Sequence, residues 1–384
     1  MDISEFISFV RSIYKTEDFI PLHEPRFFGN EKEYVTSAIE STFVSSVGAY
    51  VDRFEQLISS FTRSKNAVAT VNGTAALEVA LRLAGVKQGD EVITQALTFV
   101  ATANAIRYNG ADPVFIDIDK DTMGLSPDAL KRFLEEYGEL RSDGCYNKKS
   151  GKRISACVPM HTFGFPVHIV KLLDVCSKWN IPVVEDAAEA LGSEFNGRPL
   201  GSFGEFGIFS FNGNKIITAG GGGAFVTDNI KAGNLGKHLT TTAKAPHKYD
   251  YYHDRIGYNY RMPNLNAALL CAQFENLEFY IENKRNLAER YAAFFRNTGI
   301  KFRKELKNTK ANYWLMAIEL EDKVNRDEFL QITNENGIMT RPAWRLMFEL
   351  PMYQHCIRDD QSNAIHLQER IVNIPSSVLN SVQD

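Results

Sequence analysis

From about residue 66 to residue 228 the chain alternates short β-branched, apolar runs with longer stretches whose apolar residues recur at helical spacing. No other feature restricts the fold as much, because a repeated strand–helix–strand pattern packs as parallel strands joined by crossover helices. The runs at 67–71, 91–94, 113–117, 156–160, 182–185, 206–211 and 223–227 predict seven strands. Most are continuously apolar, as expected where helices cover both faces of a sheet. Helices are predicted at 75–84, 99–108, 127–136 and 169–179, and Pro127 behind Ser126 makes an ordinary helix start. The polar stretch RSDGCYNKKSGKR at 141–153 reads as an exposed connection. Beyond about residue 240 the pattern changes to a Tyr- and His-rich loop at 247–260, a long helix at 265–297, a strand-like piece at 312–318 and a helix at 326–336. The expected organisation is α/β: a large domain over 25–250 and a smaller C-terminal α+β domain over 251–384, with 1–24 packing beside the latter.

Composition narrows the function. A chain of 384 residues is too long for one ordinary core. Forty-three Lys plus Arg against 47 Asp plus Glu leave a charge of −4, and without a basic block nucleic acid is not expected as a partner. The five cysteines (Cys145, Cys157, Cys176, Cys271, Cys356) show no metal-knuckle or redox-pair spacing, so a reducing cytoplasm and no metal site are expected. The acidic N-terminus does not read as a secretory signal, and the absence of about 18 consecutive apolar residues argues against membrane insertion.

In an open α/β sheet ligands bind beyond the carboxyl ends of the strands, so the residues just past each run belong together. After 67–71 comes Asn72-Gly73-Thr74-Ala75-Ala76-Leu77, a glycine turn into a helix. Its free amides and Thr hydroxyl would cup a phosphate, although the same turn serves equally as an ordinary cap. After 182–185 come Asp186 and Glu189, which read either as a helix cap and capping box or as partners for a cation. After 206–211 comes Asn212-Gly213-Asn214-Lys215, followed by Gly220, Gly221, Gly222 and Gly223. A lysine in so apolar a segment either snorkels to the surface or is desolvated, which would favour the neutral amine needed for a Schiff base. Phosphate cup, strand-tip acid and loop lysine are together the contacts that pyridoxal phosphate requires. Phe99, a core residue in the alternative, would cover its ring.

The ordered motifs NGTAAL, TFVATANAI, HTFGF, VVEDAAEALGS, FSFNGNKIITAGGGG and YNYRMPNLNAAL resemble those of the DegT/StrS-type sugar-nucleotide aminotransferases over nearly the whole chain. IPLHEPRFFGNEKEYV and STFVSSVGAYVDRFE resemble the subgroup that aminates C4 of UDP-4-keto-6-deoxy-N-acetylhexosamines for bacterial surface glycans. The resemblance implies an aspartate-aminotransferase-like fold of type I, with a mainly parallel seven-stranded sheet and a smaller C-terminal domain. Lys215 corresponds to the Schiff-base lysine, which also moves the proton, and Asp186 to the partner of the pyridine nitrogen. Glu189 falls near the cofactor's 3′-oxygen, Thr74, Ala75 and Ser210 at the phosphate, and Phe99 on the ring face. Asn259 corresponds to a residue that reaches the phosphate from the neighbouring subunit, which implies a homodimer with shared sites; His161 falls close behind the cofactor. Glutamate is the implied amine donor and a sugar nucleotide the acceptor, with Arg255, Arg261 and His253 as candidates for holding the nucleotide. Amination at C3, and dTDP or GDP as carrier, remain alternatives. A non-catalytic cofactor-binding regulator fits less well, since Lys215, Asp186 and Thr74 are all present.

Overall fold

The computed structural model describes residues 2–379. Its central sheet runs, edge to edge, through Asn66–Thr70, Gly223–Thr227, Phe206–Ser210, Val184–Asp186, Arg153–Val158, Glu91–Gln95 and Asp112–Ile116. Continuous ladders join the first four and the last three, and the single parallel bridges Cys157–Val183 and Met160–Asp186 connect the two groups. Gly223–Thr227 alone runs antiparallel to its neighbours. The two-residue period of a strand sends Val92, Ile208 and Phe225 into one apolar layer, beneath the helix Gly73–Leu83. Ile93 and Phe209 face the opposite layers, one built on Leu130 and Leu172 and the other on Phe54 and Leu270. Both faces are covered, which is why most residues of these strands are buried.

Helix starts agree closely with the sequence. Asn72 Oδ1 accepts the Ala75 amide at 2.8 Å and caps Gly73–Leu83. Ser126 accepts the Ala129 amide and caps Pro127–Tyr137. Three features depart from the sequence expectation. The stretch at 141–153 is no plain loop: Gly138–Arg141 and Gly144–Asn147 form a hairpin whose Asn147 is fully buried and donates to Glu91 at 2.8 Å. The long helix breaks at Asn276 into Asn264–Glu275 and Leu277–Phe295. The stretch before the first strand contributes the helices Ile3–Tyr14, Glu31–Glu40 and Ala49–Thr62.

The C-terminal part carries a second sheet, ordered Lys301–Phe302, Met316–Glu319, Ile371–Ile374, Arg341–Pro342, against which Lys323–Glu335 packs. Phe6, Val10 and Ile13 of the first helix share a core with Tyr291, Phe295 and Phe329. Asn264–Glu275, by contrast, packs on Glu31–Glu40 and Ala49–Thr62, joining Leu270 and Cys271 to Phe54 and Ile58. The division expected at residue 250 had assigned this helix to the C-terminal unit; its apolar face instead completes the outer layer of the large sheet. The expected end of that unit, residues 380–384, lies outside the described residues. No helix among the described residues is long and apolar enough to cross a membrane.

Candidate active site

Past the carboxyl ends of the parallel strands lies a cavity of about 720 Å³. Of the residues singled out in the sequence, Thr74, Phe99, Asp186, Glu189, Ser210 and Lys215 line it.

The first amides of any helix lack an intrahelical partner. Here Asn72 satisfies that of Ala75, and among the described residues nothing accepts from Gly73 or Thr74. Ala75, expected at the phosphate, therefore gives its amide to the cap and stands outside the cavity lining. A Cβ on Gly73 would lie 2.9 Å from Ser210 Cβ, so glycine is what lets the helix start approach the Ser210 hydroxyl. Free amides and two hydroxyls at a helix N-terminus form an anion cradle.

Asp186 ends its strand and is 5% exposed. Its Oδ2 accepts the Thr102 hydroxyl at 2.7 Å and its Oδ1 the Ala188 amide at 3.2 Å. Residues 187–193 turn without forming a helix, which removes the capping alternative for Asp186 and Glu189. Lys215 points inward, 11% exposed, with Nζ 3.3 Å from Glu189 Oε1 and 3.9 Å from the centre of the Trp314 ring. It does not snorkel. Glu189 is buried and accepts the Phe163 amide at 2.8 Å. Burial pushes its carboxyl up to about 7, against the opposing pull of the Lys215 charge and the Phe163 amide. Phe99 caps the next helix half-exposed in the cavity, its ring centre 6.3 Å from that of Trp344.

The other expected residues sit elsewhere. The His161 ring is fully buried away from the cavity, 3.1 Å from Glu185 Oε2 and accepting the Val167 amide on Nδ1; only its backbone touches Asp186, donating to that carbonyl at 3.1 Å. Asn259 lies exposed, bridged to Thr241 and outside the cavity. Arg255, Arg261 and His253 are likewise outside it. Sequence reasoning missed Thr102, Trp314, Arg341, Trp344 and Arg345, all of which line the cavity. Thr102 sits within TFVATANAI, and the cluster TRPAWR at 340–345 was a usable signal: two arginines and a tryptophan in an otherwise apolar stretch.

The donor set fits pyridoxal phosphate: an anion cradle with two free amides, a buried carboxylate held by a hydroxyl, and an inward lysine beside an acid. The profile described as the DegT/DnrJ/EryC1/StrS aminotransferase family matches residues 27–382. EpsN of Bacillus subtilis is 36% identical over 362 residues, 93% of this chain and 90% of that protein. GDP-perosamine synthase of Vibrio cholerae is also 36% identical over 362 residues, covering 93% of this chain and 94% of its own. The solved structure of Helicobacter pylori PseC, an aminotransferase involved in the biosynthesis of pseudoaminic acid, superposes with a TM-score of 0.85 over 93% of this chain and 94% of that one; at 22% identity the likeness speaks to fold alone. With a profile match over residues 27–382, relatives above 30% identity and a cavity suited to the cofactor, the chain belongs to the DegT/DnrJ/EryC1/StrS family and is a pyridoxal phosphate-dependent sugar aminotransferase.

Proposed function

We propose that this chain takes the amino group of glutamate and delivers it to C4 of a nucleotide-linked 4-keto-6-deoxy sugar used in bacterial surface glycans. The observation that carries the reading is the convergence of Lys215, Glu189 and Asp186 on one cavity whose mouth holds Arg341 and Arg345. Neither arginine side chain has an ion pair or hydrogen bond among the described residues, and Trp344 stands between them in sequence. Paired guanidinium groups suit the diphosphate of a sugar nucleotide, and an indole face suits its base or sugar.

Bound pyridoxal phosphate supplies an electron-accepting ring and carries the amino group from donor to acceptor. Gly73 and Thr74 amides, with the Thr74 and Ser210 hydroxyls, would hold its phosphate. Asp186, oriented by Thr102, would keep the pyridine nitrogen protonated, and Phe99 would cover the ring. Lys215 would bond to the aldehyde and, once released by the incoming amine, move the proton at the reacting carbon. Glu189, ionising near neutrality, can take a proton from Lys215 Nζ and return it. Because donor and acceptor use one cavity, the two half-reactions alternate.

The carrier has two readings. The N-terminal motifs favour UDP on an N-acetylhexosamine, and the likeness to a protein named GDP-perosamine synthase favours GDP. We further propose a cytoplasmic homodimer in which Asn259, exposed outside its own cavity, serves the partner's phosphate site. The five cysteines, all free thiols, suit a reducing compartment. The deciding experiment loads the protein with cofactor, adds glutamate, and measures 2-oxoglutarate released per chain. UDP- and GDP-linked 4-keto sugars are then offered separately and the amino sugar is identified by mass spectrometry. Product from either sugar sustains the reading and fixes the carrier; oxoglutarate release with product from neither would sink the acceptor assignment. Lys215→Ala should release none.

A further inference from the structure

We infer that Trp314 is a positioning residue, fixing the Lys215 amine against Glu189 and so setting how fast that lysine bonds to the cofactor. Two contacts hold the lysine from opposite ends. The indole N–H donates to the carbonyl of Asn214, the preceding residue, at 2.6 Å, and the indole face lies 3.9 Å from Lys215 Nζ. Trp314 is 4% exposed, so neither contact is diluted by water.

The turn that presents Trp314 is built for the purpose. Tyr313 adopts a left-handed φ of 49°, which a non-glycine residue sustains only where its surroundings enforce it. They do so through Asn312, whose Nδ2 donates to the carbonyls of Glu189 and Leu191 at 2.9 Å each, while its Oδ1 accepts the Trp314 amide at 2.8 Å. The backbone of Glu189 and the side chain of Lys215 are thus held by one turn, the first through Asn312 and the second through Trp314. On the other side of Glu189, Phe163 is also left-handed, with φ of 57°, and donates its amide to the Glu189 carboxylate.

Bond formation joins Nζ to the aldehyde carbon and expels the aldehyde oxygen as water, and the ammonium must first lose a proton. Glu189 Oε1, 3.3 Å away, is the acceptor within reach. A lysine side chain is long and freely rotating, so a wall that confines it before reaction supplies part of the rate.

The inference rests on Lys215 being the linking lysine. Its test uses Trp314→Leu, which removes both contacts, and Trp314→Phe, which keeps an aromatic face without the N–H. One readout is the rate at which pyridoxal phosphate becomes borohydride-fixed to the Lys215 peptide. The other is the Kd of pyridoxamine phosphate, which shares the phosphate and ring contacts but has no aldehyde. Attachment should slow about tenfold in Trp314→Leu, the scale of the rotamer freedom a lysine side chain regains when its wall is removed, and less in Trp314→Phe, with pyridoxamine phosphate affinity unchanged in both. Equal loss of both readouts, or unaltered attachment in Trp314→Leu, overturns the inference. Recovery of the fixed cofactor on another peptide of the unaltered protein would overturn the linking assignment itself, a separate result.

Discussion

Thr102 donates its hydroxyl to Asp186 Oδ2 at 2.7 Å across 84 residues of chain. The bond fixes one carboxylate oxygen of a nearly buried acid. Thr102→Val keeps the shape and removes the donor, leaving Asp186 short of one charge-assisted hydrogen bond. Such a bond contributes about 1.5 kcal/mol or more, so pyridoxamine phosphate should bind roughly tenfold more weakly by fluorescence titration. Unchanged affinity would show that Asp186 needs no support from Thr102.

Glu189 gives the fold a pH dependence of known sign. Its carboxyl takes up a proton near pH 7 when folded and near 4.5 when unfolded. A raised folded value means that the contribution is complete below the unfolded value and is lost as pH rises through about 7. At about 1.4 kcal/mol per unit the whole effect is about 3 kcal/mol. Denaturant unfolding of the cofactor-free protein should therefore show it losing stability relative to Glu189→Gln between about pH 5 and about pH 8. Parallel curves would contradict this.

Arg341 and Arg345, as the proposed holders of the diphosphate, should divide the two substrates. Replacing either with Ala should raise KM for the sugar nucleotide about tenfold, the scale of a charge-assisted contact, while single-turnover release of 2-oxoglutarate from glutamate stays unchanged. Equal loss in both half-reactions would place these arginines on the donor instead.

Gly164 has φ of 92°, and a Cβ there would fall 1.9 Å from Asn312 Oδ1. Gly164→Ala should displace Asn312 from the carbonyls of Glu189 and Leu191 and cost about 3 kcal/mol by denaturant unfolding, combining backbone strain with stranded buried polar groups. A loss below about 0.5 kcal/mol, the range of an ordinary surface change, would mean that the 312–314 turn tolerates displacement.

The strands of the large sheet were legible because burial on both faces leaves largely apolar runs such as 206–209 and 223–226. The hairpin at 138–147 was not, since its only deeply buried strand residues, Gly138, Cys145 and Asn147, are embedded among Lys, Arg and Gly. The first helix carried a readable signal in Phe6, Val10 and Ile13, spaced four and three apart on one face. For the cavity, local motifs located the residues at the carboxyl end of each strand. Trp314 lies in the turn before one strand of the second sheet and Arg341 in another of its strands, and no spacing within a motif reports that a remote turn folds over the site.

The placement of that first helix also bears on how the chain is made. Arg11 donates to the carbonyl of Asn336 at 2.8 Å, 325 residues away, and Phe6 packs on Tyr291 and Phe329. A ribosome adding about 5–20 residues per second takes on the order of tens of seconds to produce those partners. Throughout that interval Phe6, Val10 and Ile13 have no native surface to cover, and a nascent chain halted before residue 290 should leave the 3–14 segment open to protease. The 3–14 segment, made long before its partners, is thus among the last to be secured, and a chaperone has that whole time to hold it.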